Sequence, residues 1–149
     1  MPFFSRIIFA LVNRAARRGL EDPAARGKAR TRSTGVRGET FAYWYLRRHG
    51  YVFIARNFTV AGMKGEIDLI GYDGDRLAFV EVKTRSGESA ELARPEEAVT
   101  AEKRRALTRV ARVFMSERRI PDSQCRYDVV AIESRPGSPP VVRLHKAAF

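Results

Sequence analysis

The period of the apolar positions changes along the chain, and each change marks an element. From Phe3 to Arg18 the residues Phe4, Ile7, Ile8, Leu11 and Val12 recur at helical spacing among arginines, which predicts a short basic amphipathic helix. Its uninterrupted apolar run, residues 7–12, is too short to cross a bilayer, so no stable membrane span is expected. Residues 19–34, rich in Ala, Arg and Gly, read as a flexible linker. Residues 1–34 are therefore expected to form a basic appendage, able to touch nucleic acid or lipid, and residues 35–149 the domain proper.

Residues 39–49 have helical character, with Phe41, Trp44 and Tyr45 spaced to form one apolar face and Gly50 placed where a helix stops. Strands are expected over residues 51–58, 66–72 and 77–84. Asp73-Gly74-Asp75 is a turn signal that makes the last two a hairpin. Residues 95–119 read as mainly helical, with Thr100 a candidate cap and Pro121 closing the segment. A strand over 127–132, a turn over 136–140 and an edge strand over 141–144 complete the chain. Helix, three strands, helix, one or two strands is a mixed α/β domain.

The third strand reads Leu77-Ala78-Phe79-Val80-Glu81-Val82-Lys83. Side chains alternate across a strand, so Glu81 and Lys83 share one face of a segment that is otherwise apolar. Charges there are costly unless something compensates them. Folding the hairpin about Gly74 and Asp75 sets Leu69 opposite Val80, Ile70 opposite Phe79, and Asp68 opposite Glu81. Two carboxylates then stand with Cβ atoms about 5 Å apart. Such a pair is tolerated when a cation sits between them, and oxygen ligands suit Mg²⁺ or Mn²⁺. An ordinary surface salt bridge between Glu81 and Lys83 is the plainer alternative. Lys103 falls within the apolar stripe Val99, Ala106, Leu107, Val110, Phe114 of the second helix, so it either snorkels to solvent or reaches the carboxylates. Glu39 opens the first helix, where the macrodipole alone would favour an acid. Arg126 and Asp128 share a face of a later strand and read first as an ion pair.

Charge adds less than its size suggests. The formal net charge is +11, which favours polyanionic partners. Yet residues 1–37 hold nine Lys/Arg against Glu21 and Asp22, net +7, and residues 38–149 only +4. The single cysteine, Cys125, excludes an internal disulfide, and with only His49 and His145 beside it a structural zinc site is not expected. A reducing, cytoplasmic setting fits this usage.

Gly38-Glu39 before an aromatic helix, Asn57, Gly65-Glu66-Ile67-Asp68-Leu69-Ile70, Phe79-Val80-Glu81-Val82-Lys83-Thr84-Arg85, Lys103 and Arg126-Tyr127-Asp128-Val129-Val130 together resemble the bacterial YraN-type uncharacterised family. That family looks like a member of the PD-(D/E)xK nuclease superfamily, near the archaeal Holliday junction resolvases. The resemblance covers roughly residues 35–144. It implies a restriction-endonuclease-like αβββαβ core with a mixed central sheet flanked by helices. It also implies a Mg²⁺- or Mn²⁺-dependent endonuclease acting on DNA, branched or single-stranded forms included, or else a non-catalytic nucleic-acid-binding protein that keeps the fold. Asp68 and Glu81 match the metal-binding acids, Lys83 the motif lysine and Glu39 the helix acid that completes the metal shell; the main-chain carbonyl of Val82 is a further ligand. Lys103, Arg85 and Arg126 are the candidate nucleic-acid contacts. A junction substrate needs two sites in one assembly, so a homodimer goes with it. Ile67 stands where the superfamily's namesake proline would be.

Overall fold

The computed structural model describes residues 2–20, 24, 26–86 and 99–149, apart from the side chains of Pro2 and Arg30. Its elements run α1 (Pro2–Ala16), α2 (Gly27–Arg48), β1 (Val52–Thr59), β2 (Glu66–Asp73), β3 (Arg76–Ser86), α3 (Ala101–Arg118), β4 (Cys125–Ser134) and β5 (Val141–His145). From α2 onward this is the helix, three strands, helix, strand order of a restriction-endonuclease-like core, with β5 added at the edge. The five strands lie in the order β1-β2-β3-β4-β5, with β3 and β4 parallel and the other neighbours antiparallel. The sheet is therefore mixed.

Strand β3 is central, and both of its faces are covered. Leu77, Ala78, Phe79 and Val80 are all at most 3% exposed, so the strand shows an apolar run rather than an alternation. Ala78, Val80 and Val82 join Phe41, Ala42 and Leu46 of α2 in one core. On the other face Leu77 and Phe79 join Leu107, Val110 and Phe114 of α3. Each large side chain buried this way contributes about 2 kcal/mol.

The helix ends follow local chemistry. Thr100 caps α3, its hydroxyl accepting the Lys103 N–H at 3.2 Å, and Arg119 closes the helix in a left-handed conformation at φ 54°. The expected start of this helix at residue 95 lies outside the described residues.

The N-terminal region differs from its reading as appendage and linker. Residues 27–34 are the first turns of α2, which is 22 residues long. Their Lys, Arg and Ala are good helix formers with no apolar period to announce them. Nor does α1 hang free: Phe9, Ala16 and Leu20 belong to the core cluster of Phe41 and Leu46. The Leu20 N–H donates to Ser134 Oγ, and the Gly137 N–H to the Arg17 carbonyl, tying the end of α1 to the far end of β4.

Candidate functional site

The hairpin forms in the expected register, with Leu69 opposite Val80 and Ile70 opposite Phe79. One step further along, where Asp68 would face Glu81, the regular pairing stops. There the Asp68 side chain takes the place of a strand: its Oδ2 accepts the main-chain N–H of Val82 at 2.7 Å. Asp68 is thus fixed against the strand that carries Glu81.

Glu81 is the better buried of the pair, at 3% exposure against 9% for Asp68. Its Oε1 receives Lys83 Nζ at 3.0 Å and Lys103 Nζ at 3.3 Å. Lys103 therefore does reach the carboxylates across the end of α3. The Glu81–Lys83 ion pair exists, but the burial of the acid sets it apart from an ordinary surface salt bridge. Among the described residues, Glu81 Oε2 is the buried side-chain oxygen left without a hydrogen-bond partner. An unsatisfied buried carboxylate oxygen costs about 1–3 kcal/mol or more.

The electrostatics of Asp68 follow from this setting. Burial first, and then the Glu81 charge, push its carboxyl up to about 8, with Glu39 adding to the rise; the Val82 N–H and Lys103 act the other way. A second proton acceptor so close to a buried glutamate holds its proton well into the neutral range.

Glu39 approaches from α2. Its carboxylate accepts from Asn57 Nδ2 at 3.0 Å, and the same amide donates to Glu66 at 2.8 Å. Asn57 itself sits at φ 48°, a left-handed conformation that Asn tolerates better than most residues. The sequence offered Asn57 only within a motif, and its bridging role was not foreseen. Two cavities meet at Gly35 and Glu39. One, of about 360 Å³, includes Thr31, Thr34, Lys83, Thr84 and Ser86. The other, of about 490 Å³, includes Arg32, Arg56, Asn57 and Glu66. Asp68 and Glu81 line neither, while their strand neighbours Val82 and Lys83 line the first. The first turns of α2 thus wall a site that sequence reasoning left to residues beyond 38.

The candidate nucleic-acid contacts separate. Arg85 is exposed on β3, two residues beyond Lys83 and on the same face. Arg126 is elsewhere. It registers with Ala78, on the α2 face of the sheet, and its guanidinium binds Asp128 at 2.9 Å, Asp73 at 2.5 Å and the Tyr51 hydroxyl at 3.0 Å. The ion pair of Arg126 with Asp128 is present, and two carboxylates engage the guanidinium inside the fold.

Among the described residues, no group of three or more His, Cys, Asp or Glu side chains is arranged to hold a metal ion. The acids that could hold a divalent cation are therefore Asp68 and Glu81, without Glu39 grouped beside them. The pair fits such an ion on two observations, the orphaned Glu81 Oε2 and the burial and neighbouring Glu81 charge that together raise Asp68.

Comparison with known proteins agrees with the motifs. A family model described as "Uncharacterised protein family UPF0102", the YraN-type group of the motif resemblance, matches residues 38–132. A UPF0102 protein of Koribacter versatilis (strain Ellin345) is 42% identical over 117 residues, 78% of each chain. One of Symbiobacterium thermophilum is 44% identical over 119 residues, covering 80% of this chain and 98% of its own.

Proposed function

The chain belongs to the uncharacterised protein family UPF0102, and from its site we propose that it hydrolyses phosphodiester bonds in DNA with Mg²⁺ or Mn²⁺ as cofactor. The observation that carries this reading is the buried Asp68–Glu81 pair with one glutamate oxygen unpartnered. A fold does not retain such a pair for stability, since apolar residues of the same volume would cost less.

Asp68, Glu81 and the Val82 carbonyl would hold the divalent ion, which would supply polarisation of a phosphoryl oxygen and a more acidic water. The chain's own residues do the rest. Lys83 Nζ, 3.0 Å from Glu81, is placed to stabilise negative charge developing on the phosphate. Lys103, 3.3 Å from the same Glu81 oxygen, adds a second positive charge beside which a phosphate can settle. Glu39, steadied by Asn57, offers a carboxylate edge to orient water. The formal charge of +11 draws the polyanion in.

The test is incubation of the purified protein with duplex, single-stranded and four-way-junction DNA in Mn²⁺, alongside Glu81→Ala and a native mass. Cleavage by the wild type and none by the variant is expected. Equal cleavage by both would sink the site assignment. Salt-dependent binding without turnover would favour the binding-only alternative. The pairing of both lysines with Glu81, which balances its charge without a cation, is the observation on that side.

A further inference from the structure

Helix α1 is apolar on two sides, and one of them is covered. Ser5, Phe9 and Ala16 are buried, with Phe9 packed on Phe41 at 5.6 Å and on Tyr45 at 5.8 Å between ring centres. At helical spacing, Phe3, Phe4, Ile7 and Leu11 fall on the opposite side. They are 69%, 69%, 45% and 63% exposed. Single exposed apolar residues are ordinary, but four large ones along one helix make a patch of the kind that marks an interaction surface.

The charges indicate what covers it. Residues 2–20 contain Arg6, Arg14, Arg17 and Arg18 and no acid; Glu21 and Asp22 come only afterwards, outside the described residues. Arg14 continues the apolar line at its C-terminal end, Arg6 flanks it, and the exposed Arg17 and Arg18 follow in the turn just past the helix. A duplex phosphate backbone would engage the arginines but leave the phenylalanines in water. A second copy docked through the same stripe would gather eight arginines at one seam with no acid from residues 2–20 to pair them. An anionic bilayer surface takes both kinds of side chain at once. The helix is also firmly seated for such a role. It is the outer layer over α2, and its end is fixed to Ser134 and Gly137 by the bonds from Leu20 and Arg17.

We propose that α1 docks this protein on anionic phospholipid, with Phe3, Phe4, Ile7 and Leu11 entering the headgroup boundary and the arginines meeting lipid phosphates. This does not depend on the nuclease reading.

Co-sedimentation of the full chain with phosphatidylglycerol-containing vesicles, against pure phosphatidylcholine vesicles, tests it. Binding is expected to the anionic vesicles and to weaken on the order of tenfold in the double variant Phe4→Ser/Leu11→Ser. Arg6→Gln/Arg14→Gln should weaken it too, and more so at low salt. Both pairs are exposed, so circular dichroism should report an unchanged fold. No vesicle binding, or binding that Phe4→Ser/Leu11→Ser leaves intact, overturns the proposal. So does self-association in vesicle-free buffer that this pair abolishes, which would assign the stripe to a second copy.

Discussion

Gly38 of α2 and Thr84 of β3 approach so closely that a Cβ built on Gly38 would overlap Thr84 Oγ1 and fall 2.8 Å from its Cβ. This contact sets the height of α2 above the end of β3, one residue before Glu39. Gly38→Ala should gain about 1 kcal/mol of helix propensity. The overlap should cost more, about 1–3 kcal/mol, because backbone and strand must separate. Net destabilisation in urea unfolding is expected, with partial recovery in Gly38→Ala/Thr84→Ala. Glu39 should shift with the helix, so cleavage should fall even at temperatures where the variant is fully folded.

The carboxyl of Asp68 makes stability depend on pH in a definite direction. Its value rises from an ordinary 3.8 to about 8 in the folded chain. The folded state therefore binds more protons than the unfolded state between those limits. The group's contribution is fully present below pH 3.8 and is lost as pH rises toward 8. Asp68→Asn, which can still accept the Val82 N–H, should remove that loss. Relative to wild type it should be increasingly stabilised as pH rises toward 8, with the difference vanishing toward pH 4. A difference that does not change with pH would show that the pair is not electrostatically strained.

The same strain predicts a response to divalent cations. Mg²⁺ or Mn²⁺ that binds only the folded chain raises its stability by about 2.7 kcal/mol at one hundred times the dissociation constant. The wild-type thermal midpoint should therefore climb with added Mn²⁺, more at pH 8 than at pH 5, where Asp68 keeps its proton. Glu81→Gln should abolish the climb. Calorimetric titration of both proteins with Mn²⁺ checks this without reference to any nuclease assay.

The site was legible in the sequence wherever local pattern and covalent turn geometry act together. The Asp73-Gly74-Asp75 turn, with apolar residues facing apolar residues across it, determined the hairpin register, and the register placed Asp68 beside Glu81. Lys103 was legible for a similar reason, as a charge within an apolar helical stripe. What escaped depends on contacts distant in sequence. The first turns of α2 carry no apolar period, and α2 is covered by Phe9 from another helix. Asn57 bridges Glu39 and Glu66 from a left-handed turn of the backbone, which leaves no periodic trace. Arg126 meets Asp73 because β3 and β4 pair in parallel, and that follows from the crossover through α3 rather than from any local pattern.

Arg126 provides the sharpest separation of stability from binding. Its guanidinium faces Asp128, which is 0% exposed, as well as Asp73 and Tyr51. Burial and the Asp128 charge raise the Tyr51 hydroxyl well above its usual range, so the phenol stays neutral and donates to Asp128 Oδ2 at 3.0 Å. Arg126→Ala would leave the Asp128 carboxylate with Tyr51 and the Ala147 N–H, but without a countercharge. Loss of one partner of a buried pair costs about 3–5 kcal/mol. Because Arg126 itself is 17% exposed and those two donors remain, a smaller cost, about 2–3 kcal/mol, is expected in denaturant unfolding. DNA affinity and its salt dependence should stay at wild-type values below the unfolding transition. Lys103→Ala, by contrast, should weaken binding and reduce the salt slope by about one charge while costing little stability. If Arg126→Ala lowered the salt slope in the same way, the guanidinium would have to leave its carboxylates to meet DNA, and its place inside the fold would be only one of two states.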